Sequence, residues 1–282
     1  MAEVVAVLGR GVIPADETFL AGDDLGVLRG DGIFETANVR AGEPFLLEEH
    51  LARMVRSAER MQLDLPDVTK LTELAADACR AFGTDKEGAL RIICTRGPEG
   101  GGPPTVYITV NPVPEAMIAA RRDGLNLAVL SLGYPVDTRG EAPWLLGGAK
   151  CLSYAVAMAA QRHAKGTGHD DLLWRSEDGY ALEGPTSTLI WQQGDTLYTV
   201  PSDTGILVGT TAKFVFDRAR EAGIATAERR VQVAELISAD GVWMTSSVRG
   251  IAAVHTLDNV SINQSDLTAT LSEFGGFPVP TS

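Results

Sequence analysis

Cysteine is scarce in this chain of 282 residues: Cys79, Cys94 and Cys151 form an odd set with no close pairing. Together with the length, this argues against a small disulfide scaffold, and reduced thiols of a cytoplasmic protein are expected. No spacing of His and Cys suggests a zinc site, so no metal is expected. Clusters of Lys and Arg are absent as well. With a formal charge of -13 the chain has no basic face for a phosphate backbone, which argues against nucleic acid as a partner. No apolar stretch approaches the roughly 18 residues that span a bilayer. The segment from Met1 to Gly11 has no basic start, long apolar run or cleavage site, so a cytoplasmic location without a membrane partner is expected. A Gly-x-Ser-x-Gly elbow is missing, and none of the four histidines has an evident catalytic partner, which disfavours a serine or cysteine hydrolase. Cys151 reads as a small helix-facing residue.

What is present is a globular composition, 45% apolar, with Gly and Pro spread along the chain. The length suits two modest α/β domains. Val4 to Leu8 reads as a strand entering a Gly9-Arg10-Gly11 turn, and alternation from Ile33 to Val39 as another. Between Leu47 and Met61 the apolar positions Leu51, Met54, Val55, Ala58 and Met61 recur at helical spacing, and residues Val68 to Phe82 repeat the pattern. Ala89 to Thr95 and Thr105 to Val110 read as strands. Asn111-Pro112-Val113-Pro114-Glu115 halts regular structure, which divides the chain into 1–114, a linker at 115–117 and a larger domain at 118–282. In the second part Leu125 to Leu130, Asp171 to Trp174, Thr188 to Gln192, Leu197 to Val200 and Gly241 to Thr245 read as strands. Cys151 to Lys165 and Thr211 to Ala222 read as helices.

Several residues could carry chemistry. Lys150 follows the run Trp144-Leu145-Leu146-Gly147-Gly148-Ala149. Partial burial penalises a charged amine, and an uncharged lysine can condense with an aldehyde. Taken alone, a surface lysine is the commoner reading. Glu183 closes Gly179-Tyr180-Ala181-Leu182 just before Gly-Pro, where a carboxylate could hold a protonated pyridine nitrogen or stand as a solvated turn acid. Gly209-Thr210-Thr211 opens a helix, and unpaired N–H groups with a hydroxyl there suit either an anion or an ordinary cap. Thr245-Ser246-Ser247 could add hydroxyls, and Arg53 a charged hydrogen bond.

The order of these segments resembles the class IV aminotransferases, the pyridoxal-phosphate fold-type IV group. Gly30-Asp31-Gly32-Ile33-Phe34-Glu35-Thr36 is followed by Glu49-His50-Leu51-Ala52-Arg53-Met54, Lys150-Cys151-Leu152-Ser153-Tyr154, Leu182-Glu183-Gly184, Gly205-Ile206-Leu207-Val208-Gly209-Thr210-Thr211 and Thr245-Ser246-Ser247. The resemblance covers nearly the whole chain. It implies pyridoxal phosphate as cofactor, two α/β domains with the larger carrying most of the cofactor site, and a homodimer. By the same resemblance Lys150 is the imine-forming lysine and proton shuttle, and Glu183 the partner of the ring nitrogen. Arg53, Thr210, Thr211 and Ser247 fall on positions that hold the phosphate, and Tyr154 near one that neighbours the phenolic oxygen.

Within that family the Phe34-Glu35-Thr36 and Lys150-x-Leu152-Ser153-Tyr154 segments resemble aminodeoxychorismate lyases. Those enzymes form 4-aminobenzoate, a folate precursor, and pyruvate from 4-amino-4-deoxychorismate. The alternative is an amino-acid transaminase of D-amino-acid or branched-chain type, or one site doing both. Asn38 stands where branched-chain enzymes place an arginine. The loop after Thr95-Arg96-Gly97 lacks the arginine that many relatives use for a substrate carboxylate. Thr36 and Arg96 are the remaining candidates for contacts with an amino-acid-like substrate, Arg96 with a structural role as its rival.

Overall fold

The structure is a computed structural model that describes residues 2–277. Its contacts divide the chain into two units. One gathers the chain up to Pro114 together with Ala149–Tyr154; the other gathers Glu115–Gly148 and the chain from Ala155 onward.

The first unit contains β1 (Val4–Val7), β2 (Gly11–Ile13), α1 (Leu25–Arg29), β3 (Gly32–Arg40), β4 (Glu43–Pro44), α2 (Leu47–Met61), α3 (Val68–Phe82), β5 (Gly88–Thr95) and β6 (Val106–Pro112). Its sheet runs β2-β1-β6-β5-β3-β4, and every neighbouring pair is antiparallel. The apolar stripe of α2, with Leu51, Met54 and Ala58, and that of α3, with Leu71, Leu74, Ala75 and Ala78, bury against Ile33, Ala37, Val39, Leu90 and Ile92. Side chains alternate across a strand, so Phe34 and Thr36 of β3 lie on the sheet face opposite the two helices.

The second unit contains α4 (Glu115–Asp123), β7 (Leu125–Ser131), α5 (Thr138–Glu141), α6 (Ala155–Gly166), β8 (Asp171–Arg175), β9 (Thr188–Gln193), β10 (Thr196–Thr199), α7 (Thr210–Glu221), β11 (Ala225–Glu228), α8 (Val233–Leu236), β12 (Gly241–Ser246), β13 (Gly250–Leu257), β14 (Val260–Ser261) and α9 (Leu267–Phe274). The sheet order is β11-β10-β9-β12-β13-β7-β8, with β14 beside β13; the β10–β11, β13–β7 and β7–β8 pairs are parallel. One face packs Trp191, Leu127 and Leu172 with Ala120 of α4 and Ala164 of α6. The other packs Ile190 and Trp243 with Val215 and Phe216 of α7 and Leu271 of α9.

Two expected boundaries differ. The linker anticipated at 115–117 is the first turn of α4, where Glu115 meets the positive end of the helix, and the break is confined to Val113 and Pro114. The helix anticipated from Cys151 begins at Ala155. Cys151 pairs across to Ile33, Leu152 N donates to Gly32 O (2.8 Å), and Phe34 N donates to Lys150 O (3.0 Å). Lys150–Leu152 therefore covers the edge of β3 and cannot also be helical, and Cys151 is not a helix residue. Lys150, placed by its sequence position within 118–282, has its contacts in the first unit.

Candidate active site

In the first unit, α2 and β3 place the candidate groups. Ser57 Oγ donates to Arg53 O (3.1 Å) and accepts from Lys150 N (3.1 Å), so one buried hydroxyl fastens the lysine's backbone to α2. The Lys150 Nζ lies 4.3 Å from the centre of the Phe34 ring and donates to Tyr154 Oη at 3.5 Å. The two aromatic rings meet edge to face, 5.2 Å apart. The amine thus has one wall of π-surface and one hydroxyl beside it.

Arg53 is buried and engaged from the other side of β3. Its Nε and Nη2 each donate to Glu35 at 2.7 Å, and His50 Nδ1 lies 2.8 Å from the same carboxylate. Burial alone would raise the Glu35 carboxyl, but the Arg53 guanidinium and His50 outweigh it and hold it down at about 2, against an ordinary 4.5.

Thr36 is half-buried on β3 and stands opposite Arg91 of β5. The Arg91 guanidinium carbon is 5.9 Å from the Phe34 ring centre, so a cation flanks the same ring that Lys150 faces. Arg96 has the bonds expected of its structural role. Its Nε and Nη2 donate to Asp31, while Nη1 and Nη2 donate to the carbonyls of Gln62 and Met61. Those carbonyls lie at the C-terminal end of α2, and Arg96 caps them.

In the second unit Glu183 follows a short extended segment whose backbone pairs with β8 at Trp174. Its Oε2 accepts from Leu207 N (2.9 Å) and its Oε1 from Arg139 Nη1 (3.3 Å). Glycines make this possible: a Cβ on Gly205 would strike Arg139 Cβ at 2.6 Å, and one on Gly147 would strike Arg139 O at 2.5 Å. Gly148 N donates to Gly205 O (3.0 Å), tying the two loops together around the acid.

The hydroxyls of Thr210 and Thr211, the first residues of α7, each lie 3.4 Å from Ser247 Oγ. Gly209 is the cap residue and contributes no side-chain cap, and a Cβ there would meet Thr188 Oγ1 at 2.3 Å. Three hydroxyls thus gather at the N-terminus of a 12-residue helix, where the macrodipole favours an anion. This donor set suits a phosphate group, as Glu183 suits a ring nitrogen and Lys150 an aldehyde.

Sequence reasoning overlooked Ser57, Arg139 and Arg91 as contributors. Nothing in their spacing marks them, since each acts through a partner more than forty positions away. The Glu35–His50–Arg53 cluster was visible only as motif letters. The strand period of β3 and the three-residue spacing on α2 hold the signal that would have joined them.

The amino-transferase class IV family profile matches residues 32–257. Over 280 residues the chain is 42% identical to the bifunctional aminodeoxychorismate lyase / D-amino acid transaminase of Mycobacterium tuberculosis, covering 96% of both chains. Among solved structures, a hypothetical aminotransferase of that organism in its PLP-bound form superposes with a TM-score of 0.93 at 41% identity, covering 97% of each chain. The fold IV transaminase CpuTA1 of Curtobacterium pusillum does so with a TM-score of 0.91 at 34% identity, covering 99% of each. The chain therefore belongs to the class IV aminotransferases, pyridoxal-phosphate enzymes of fold type IV.

Proposed function

We propose that this protein is a pyridoxal-phosphate lyase that converts 4-amino-4-deoxychorismate to 4-aminobenzoate and pyruvate, supplying a folate precursor, and that the same site also transaminates D-amino acids. The observation that carries the reading is the Lys150 amine held against Phe34 with the Tyr154 hydroxyl at 3.5 Å, a proton carrier with an adjacent donor, within a chain 42% identical to a protein having both activities.

Lys150 would hold the cofactor's aldehyde, Glu183 its ring nitrogen, Tyr154 its phenolic oxygen, and Arg53, Thr210, Thr211 and Ser247 its phosphate. When bound, the cofactor supplies an electron sink for the pair left at the substrate carbon. Lys150 Nζ removes the proton from the ring carbon that bears the substrate's amino group. The adjacent carbon–oxygen bond then breaks, enolpyruvate departs and is protonated to pyruvate, and the ring left behind is aromatic. Transamination starts with the same proton transfer and differs in where Lys150 returns the proton.

The substrate carboxylate needs a cation that the loop at 98–102 does not supply. Arg91 fits the role: it is exposed, it shares a sheet face with Thr36, and it flanks Phe34. Arg91→Ala is expected to raise KM for carboxylate substrates about tenfold or more, with less effect on kcat. A kcat loss with unchanged KM would remove Arg91 from the site.

A homodimer and a cytoplasmic location belong to the same reading. Val27 and Leu28 on α1 are more than half exposed, an apolar patch suited to a second copy. Among the described residues no helix is long and apolar enough to cross a membrane. Purified protein should release pyruvate and 4-aminobenzoate from aminodeoxychorismate and should turn over D-alanine with 2-oxoglutarate. Turnover of L-leucine alone would replace this reading with the branched-chain one.

A further inference from the structure

Glu35 and His50 form a buried cluster with Arg53, and of the three the chemistry above uses Arg53 alone. The Glu35 side chain is 1% exposed, that of His50 1% and that of Arg53 7%. Burying a carboxylate this fully carries a desolvation penalty that pairing at best offsets, and an apolar trio of the same volume would often be the more stable choice. The geometry says what the cost secures. Glu35 engages the guanidinium through both carboxylate oxygens at 2.7 Å, a fork-to-fork arrangement that fixes the plane of Arg53 and not merely its position. His50, three residues before Arg53 on the same face of α2, bonds the carboxylate at 2.8 Å and keeps it from turning.

We propose that Glu35 is the positioning residue for phosphate recognition: its two hydrogen bonds set the guanidinium plane of Arg53, and His50 sets the plane of Glu35. The inference rests on the reading that Arg53 holds the cofactor's phosphate. It adds that the arginine's charge alone is insufficient and that the buried acid decides how well the phosphate is bound. The side chains of Phe34 and Thr36, the neighbours of Glu35 on β3, point to the opposite sheet face, and Thr36 meets the Glu35 carboxylate through its backbone N–H (3.3 Å), so the side-chain route from Glu35 to the cofactor runs through Arg53.

The test compares binding of pyridoxal phosphate with binding of pyridoxal, which lacks the phosphate, to the apo form of the full chain. Circular dichroism and thermal melting of each apo variant run alongside. In Glu35→Gln the affinity for pyridoxal phosphate should fall about ten- to a hundredfold while that for pyridoxal stays within about twofold, the loss expected for a charged hydrogen bond. Glu35→Asp, which keeps the charge and retracts the oxygens, should show the same selective loss and serves if the glutamine variant does not fold. Arg53→Ala should cut the preference for the phosphorylated form at least as far as Glu35→Gln does, the Thr210, Thr211 and Ser247 hydroxyls keeping the rest, and adding Glu35→Gln to it should change nothing more. Equal losses for both ligands in Glu35→Gln and Glu35→Asp would make the cluster purely structural and overturn the proposal. An Arg53→Ala protein whose preference is undiminished from wild type would overturn the Arg53 reading and the proposal together. A selective loss in Arg53→Ala with none in either Glu35 variant would overturn the proposal alone.

Discussion

Lys150 and Glu35 show how one residue's neighbours decide its chemistry. An amine against an aromatic face is kept near a π-surface instead of bulk water, and the Tyr154 hydroxyl gives it a partner that can donate or accept. Lys150→Ala should abolish the visible absorbance of the bound cofactor together with lyase and transaminase turnover; a variant that kept the band would remove Lys150 from its proposed role. For Glu35 the sign of the pH dependence follows from the lowered value. The carboxyl sits at about 2 when folded and near 4.5 when unfolded, so the unfolded chain binds the proton more readily. The stabilisation, on the order of 3 kcal/mol, is complete above about 4.5 and is lost as the pH falls toward 2. In acid titrations monitored by circular dichroism, Glu35→Gln should be less stable than wild type at neutral pH. The gap should narrow as the pH drops through that window; a gap that stayed constant would show that Glu35 does not carry the dependence.

α2 does more than bury an apolar stripe: His50, Arg53 and Ser57 carry the buried acid's contacts and the lysine's backbone on one helix. Its apolar period was legible because Leu51, Met54 and Ala58 follow helical spacing, and that period placed the helix ends correctly. The stretch around Lys150 was not legible. Cys151 to Lys165 has the alanine content of one helix, yet the start of that stretch is held extended by pairing to β3, more than a hundred residues away, which local propensity does not record. For Arg96 the sequence left a substrate role and a structural one open, and its partners at the end of α2 fit the structural one. Arg96→Ala should lower stability by about 1–3 kcal/mol through the uncapped carbonyls and leave the ratio of lyase to transaminase turnover unchanged. A shifted ratio would return Arg96 to the substrate. At the start of α7, Gly209 is required for space and not for its backbone angle, because an added Cβ would press on Thr188. Gly209→Ala should weaken binding of pyridoxal phosphate more than that of pyridoxal, as the loop and the Thr210 hydroxyl are displaced. Unchanged affinity for both would separate this loop from the phosphate.

The whole chain divides its labour between two sheets. An antiparallel sheet with Lys150 laid on its edge carries the amine, Tyr154, Arg53, Thr36 and Arg91, and a mixed sheet carries Glu183 and the three hydroxyls. The motif order along the sequence exposed the cofactor chemistry, because each motif is a short local segment, such as residues 205–211 leading into α7 and 245–247 closing β12. Substrate choice was less legible, since Arg91 acquires its relation to Phe34 and Thr36 only when β5 pairs with β3. In the proposed reaction this site breaks the carbon–oxygen bond of aminodeoxychorismate after a proton transfer to Lys150. The most direct measurement is the release of pyruvate and 4-aminobenzoate by purified protein reconstituted with pyridoxal phosphate. Equimolar release of both products by the wild type, absent in Lys150→Ala, is the predicted result; a wild type that binds the cofactor and transaminates amino acids but releases neither product would contradict it.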